Sequence, residues 1–283
     1  MVRVDRHPAD FGEPGEQGIA FMRDCTAESV DDWVSGAGDF SDALSDALAE
    51  ARGLCVIHPG GAEAAPAFRR AGRLLVALFE GVAGGGGPAE LREDHATRTV
   101  RSIGPLTAGH ATRWLTAFFL SRIVRDQEMT ESLCAVPVST IRAASPTVDD
   151  FVLAWVEVLQ RFWRQEAGYG EALVRATRGC DPETVSFMDP QEALLFWYPQ
   201  LNVFDTLLVG DSAALTVALR DGVQCFREYW TRDAETARLV DGMVAVELLG
   251  LACLAHDVGM PIEVESEYLP AALVHHEQAR PVD

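Results

Sequence analysis

The sequence contains no lysine: all 23 of its basic residues are arginine. A phosphate-binding P-loop needs its lysine, a protein kinase its strand lysine, and a pyridoxal phosphate or class I aldolase site an amine for the Schiff base, so each is excluded. Asparagine occurs once, as Asn202. With abundant Ala, Arg, Gly and Val, this usage matches GC-rich coding, which partly explains arginine in place of lysine without functional pressure. Positive charge is scarce as well, 23 arginines standing against 43 Asp and Glu for a net charge of −20. Little here could replace counterions along a phosphate backbone, which opposes nucleic-acid binding.

Other signatures are missing too. The six cysteines, at 25, 55, 134, 180, 225 and 253, form no Cys-x-x-Cys pair. Their wide spacing reads as reduced core thiols rather than zinc ligands or a disulfide framework. No Gly-x-Ser-x-Gly, His-Glu-x-x-His or Gly-x-Gly-x-x-Gly occurs, and the glycine run 84–87 is followed by no Lys-Ser or Lys-Thr. The longest apolar run, 243–255, contains Glu247 and is too short to cross a bilayer. Residues 1–18 lack the apolar stretch of a signal peptide, so the expected location is the cytoplasm.

What is present is a globular composition, 48% hydrophobic and 23% charged over 283 residues. Apolar residues recur at helical spacing nearly everywhere: Phe40, Leu44, Ala47, Leu48 and Ala51, with a stop at Pro59-Gly60-Gly61; then Phe68, Ala71, Leu75, Leu78 and Phe79; then Trp114, Leu115, Phe118 and Phe119. Residues 92–103 have only weak period-two character. Thr147 and Asp150 have capping-box spacing before an amphipathic helix carrying Phe151, Trp155, Val158, Leu159 and Phe162. Asp189-Pro190-Gln191-Glu192 starts another helix, which Pro199 must kink or split near Tyr198. Asp211 starts the next, and residues 240–256 read as one central helix. The expected fold is all-α: about ten antiparallel helices in a bundle-like array or short α-solenoid, with a short extended C-terminal segment. Residues 1–18 are expected to be a flexible arm, 19–274 a single domain and 275–283 a tail.

Candidate chemistry is thin. His256-Asp257 is the sharpest local pattern, since metal-dependent phosphohydrolases use adjacent His and Asp as ligands. Such a site needs a further His from a preceding helix and a later Asp, yet no His lies between His110 and His256. The other reading is a His near a helix C-terminus, favoured by the dipole. Neither a metal nor another cofactor is expected.

Charge placement says more. The first fifty residues hold twelve acids against three arginines, and between Arg238 and Arg280 lie seven acids and no arginine. In Ile262-Glu263-Val264-Glu265-Ser266-Glu267-Tyr268 the alternation sets Glu263, Glu265 and Glu267 on one side of an extended segment, with Ile262, Val264 and Tyr268 opposite. The apolar side can dock on a helical core while three carboxylates project together. Two readings stay open: a solvated acidic edge, or a surface that steers and captures a basic partner.

Trp114-Leu115-Thr116-Ala117-Phe118-Phe119, the Asp241-Gly242 opening of an Ala/Leu-rich helix and the block from Met260 through Glu263, Glu265 and Glu267 to Pro270 resemble the immunity protein 49 family. Tyr198-Pro199 ahead of Asn202-Val203-Phe204 adds to the likeness, which spans about residues 40–274. The resemblance implies a bacterial, cytosolic antitoxin of a polymorphic toxin system. Such a protein binds and blocks a cognate toxin by occupancy and is not an enzyme. A basic nuclease would be the electrostatic fit, with Glu263, Glu265, Glu267 and Asp257 at the interface. The alternatives are a metal phosphohydrolase using His256 and Asp257, and a helical adaptor for other proteins. No membrane or nucleic acid partner is expected, and oligomeric state stays open.

Overall fold

The computed structural model describes residues 1–8, 15–58 and 62–277, and the described part is all-α with minor strands. Helices α1 (Glu16–Ser35), α2 (Phe40–Ile57) and α3 (Ala65–Ala83) pack each on the next. The stop at 59–61 lies outside the described residues. A strand pair, β2 (Ala89–Arg92) and β3 (Thr97–Val100), then lies against α3 and α1. It is an antiparallel hairpin where the sequence showed only weak alternation. Arg92–Glu80 at 2.8 Å ties it to α3, Arg73 of α3 meets Asp94 of the hairpin turn at 2.6 Å, and Arg98 binds Asp31 of α1.

The chain continues through α4 (Ala111–Ile123), α5 (Gln127–Ala135), α6 (Val138–Ala143), α7 (Asp150–Trp163) and α8 (Tyr169–Gly179). Helix α4 is central and touches α3, α5, α7 and α12 (Val246–Asp257). Its Trp114, Leu115, Phe118 and Phe119 are fully buried. Gly250 lets α12 approach closely, for a Cβ there would stand 2.8 Å from the Phe119 Cβ. Side-chain caps start several helices as aspartates should: Asp126 accepts the Met129 N–H, Asp189 that of Gln191, and Asp211 those of Ala213 and Ala214.

Two local expectations are corrected. The Thr147–Asp150 capping box does not form. Asp149 occupies the N-cap position instead, and its carboxylate accepts the N–H groups of Ser186 (2.6 Å), Phe187 (3.1 Å) and Met188 (2.9 Å) in a distant loop. Nor is 240–256 one helix. Residues Val240–Met243 form a 3₁₀ turn, Val244 is extended, and the Ala245 N–H goes to the Tyr268 carbonyl before α12 begins. Gly242 sits against Trp230, where a Cβ would be 2.9 Å from the ring, so the backbone bends round the indole.

Pro199 acts as expected. Helix α9 (Pro190–Glu192) passes into a π-helical turn, Ala193–Trp197, and α10 (Tyr198–Val209) restarts with the proline in its first turn. A proline supplies no N–H to the carbonyl one turn back, and the wider turn accommodates the loss. Helix α11 (Ser212–Trp230) follows, packed on α10.

Residues 1–8, placed in a flexible arm by the sequence, run along the C-terminal segment. Strand β1 (Val2–Arg3) pairs in parallel with β4 (Val264–Glu265), Val2 opposite Val264 and Arg3 opposite Glu265. Just beyond, His7 is buried, with its ring between the Tyr268 hydroxyl (2.6 Å) and the Ala237 carbonyl (3.1 Å). Residues 9–14 of the expected arm lie outside the described residues, and α1 starts at Glu16, within its last part. A short helix, α13 (Ala271–Val274), closes the chain's described end.

Candidate functional site: an acidic strand beside a groove

The C-terminal segment takes up the alternation written in its sequence. Val264 and Tyr268 are buried, while Glu263, Glu265 and Glu267 are exposed. Tyr268 anchors the segment: its ring meets Phe226 edge-on at 5.3 Å, and its hydroxyl takes the His7 main-chain N–H at 3.1 Å. Burial pushes the Tyr268 phenol above its ordinary range, so it stays a neutral donor to His7.

Little neutralises the three carboxylates. Glu265 has Arg3 at 3.7 Å, but that guanidinium is held more tightly by Asp5 at 2.6 Å. Glu267 accepts a long bond, 3.4 Å, from the Arg6 main chain. Three projecting acids in a chain of net charge −20 make a field that attracts cations and repels acidic surfaces.

Next to them opens a groove of about 420 Å³ between β1, β4 and α13. Val4, Ile262, Val264, Leu269 and Val274 supply its apolar lining, and Arg3, Asp5, Glu265 and Glu267 its polar rim. The structure therefore brings Glu265 and Glu267 together at one cleft, with Glu263, two residues before Glu265, outside its lining. Sequence reading missed the β1 half of this site. Its signal was present in Val2-Arg3-Val4-Asp5, which alternates apolar and polar as the C-terminal block does.

Asp257 is placed differently. It ends α12 outside the groove lining, and its carboxylate faces the Arg125 guanidinium at 3.1 Å. Arg125 also donates to the carbonyls of Ile123 (2.8 Å), Leu273 and Val274 (2.6 Å). The group thus clamps α13 to the end of α4, a role nothing local in the sequence announces. His256 stands 3.6 Å from Asp257, and its ring meets His275 edge-on at 5.0 Å. His275, the first residue of the expected tail, is exposed at the C-terminal end of α13. Among the described residues, no three His, Cys, Asp or Glu side chains gather closely enough to hold a metal ion.

The six thiols are unbridged, and burial pushes those of Cys55, Cys134, Cys180 and Cys253 up to about 12. These four are buried core groups rather than nucleophiles, whereas Cys25 and Cys225 are only partly buried, unlike the core thiols the spacing suggested. Among the described residues, no helix is long and apolar enough to cross a membrane.

Compared with known families, residues 61–273 match the family model of immunity protein 49. The chain belongs to the immunity protein 49 family. That match runs from before α3 into α13, including β4 and the three glutamates, while β1 lies outside it. Membership in an immunity protein family points to a protein that binds a toxin. No curated protein and no solved structure matches the chain.

Proposed function

We propose that this protein is the antitoxin of a polymorphic toxin system, which binds a toxin domain made by the same bacterial cell and blocks it by occupancy, without turnover. The observation that carries this reading is the family match over residues 61–273. It works in the cytoplasm, where an unblocked toxin would harm its producer. Glu263, Glu265 and Glu267 form the centre of the interface, and Asp257 contributes the charge that Arg125 leaves over. A basic toxin suits that surface. A nuclease is the natural fit, because a cleft that grips phosphates carries the cations these carboxylates would cover.

The test is co-expression with any toxin domain found encoded in a neighbouring reading frame. Wild-type protein should protect the cell and associate with the toxin one to one. Changing Glu263, Glu265 and Glu267 together to Gln should keep the helical circular dichroism and slow association about tenfold at low salt. Full protection and an unchanged on-rate in the triple variant would place the interface elsewhere. Purified protein should be metal-free and inactive on phosphate esters; bound metal with turnover would favour the His256 and Asp257 enzyme instead.

A further inference from the structure

The groove between β1, β4 and α13 also says what kind of chain it accepts. In the parallel pair, the Val2 N–H goes to the Glu263 carbonyl and the Val4 N–H to that of Glu265. Main-chain polarity alternates along a strand, so the N–H and C=O of Arg3 point away from β4. None of the described residues bonds them, and Arg3 is exposed. A strand with one unpaired edge is a template for another extended segment. Arg3 is also among the residues lining the groove of about 420 Å³, which has apolar walls and two carboxylates, Glu265 and Glu267, on its rim.

We propose that this groove receives an extended, arginine- or lysine-bearing segment of the protein partner, added as a strand along β1. The partner's main chain pairs with Arg3, the aliphatic stem of one basic residue lies on Val4, Ile262, Val264 and Val274, and its cation sits between Glu265 and Glu267. Charge complementarity selects the occupant. An acidic or neutral strand could use the same edge but would gain nothing at the rim, whereas a long basic side chain satisfies an apolar cleft and an anionic mouth at once. β4 lies within residues 61–273, which match the family model, while β1 lies outside them. This inference rests on the antitoxin reading above and deepens it.

The probe is a capped heptapeptide of alternating arginine and valine, titrated into full-length ¹⁵N-labelled protein, with its citrulline counterpart as control. The arginine peptide should shift the amides of residues 2–5 and 262–275 first, and citrulline should weaken binding at least tenfold. Glu265→Gln with Glu267→Gln should do the same, and Ala271→Trp, which fills the groove from α13, should abolish the localised shifts. Arg3→Ala removes a competing cation and should tighten binding. Arg3→Pro, which removes only an edge N–H that β4 does not use, should bind roughly fivefold more weakly than Arg3→Ala. Shifts spread over the whole acidic surface, or affinities within twofold for the double Gln and Ala271→Trp variants, would overturn the proposal. Protection from the toxin without any groove shifts would overturn this inference alone; groove binding without protection would overturn the antitoxin reading alone.

Discussion

At the scale of single residues, the most consequential side chains hold distant segments together rather than face solvent. His7 is an example. Its buried ring bridges Tyr268 and Ala237, and burial, the largest influence, lowers its pKa below the ordinary histidine value of 6.5. A histidine lowered on folding stabilises the fold above its unfolded pKa, and that contribution is lost as pH falls through the folded one. The melting temperature should therefore drop on acidification below about pH 6.5, and His7→Gln should flatten that part of the profile. A profile identical in wild type and variant would show that His7 is not the group responsible. Asp149 is the second case. Its carboxylate takes three main-chain N–H groups from residues 186–188, so Asp149→Ala leaves them unmet in a partly buried loop. Charge-assisted bonds of this kind make the expected cost about 2–4 kcal/mol, read as a lower urea midpoint with unchanged slope.

At the scale of elements, the question is what fixes the short pieces that build the site. Helix α13 has only four residues and could not hold itself. Arg125 supplies what the helix lacks by binding its last carbonyls and the Asp257 carboxylate together. Replacing Arg125 with Met should cost about 2–3 kcal/mol and speed amide exchange in residues 271–275 before the rest of the protein opens. Uniform exchange would mean that α13 is held by packing alone. The α4–α12 crossing depends on Gly250 in the same way. Gly250→Val would push a branched side chain into Phe119 and should cost about 3 kcal/mol by thermal melting, against near-neutral change at the exposed Gly259→Asn.

The whole molecule carries a net charge of −20, and its acids are far from evenly matched by arginine partners. Self-repulsion opposes compaction, and salt screens it. Raising sodium chloride from 20 to 200 mM should therefore increase the melting temperature by a few degrees while weakening association with a basic partner. Opposite signs for stability and binding are the signature of this charge. A protein held chiefly by its surface ion pairs would lose stability in salt instead.

The sequence by itself determined most helices, because their signals are local: apolar spacing in α4 and α7, aspartate caps at 189 and 211, and the break at Pro199. It also determined that Glu263, Glu265 and Glu267 share a face opposite Val264, since alternation along a strand needs no partner to be read. Only the tertiary structure decided what these elements meet. The strand beside Val264 comes from residue 2, the partner of Asp149 from residues 186–188, and the cation on Asp257 from Arg125. Each contact joins segments far apart in the chain, and its energy comes from burial and geometry that no local pattern of residues encodes.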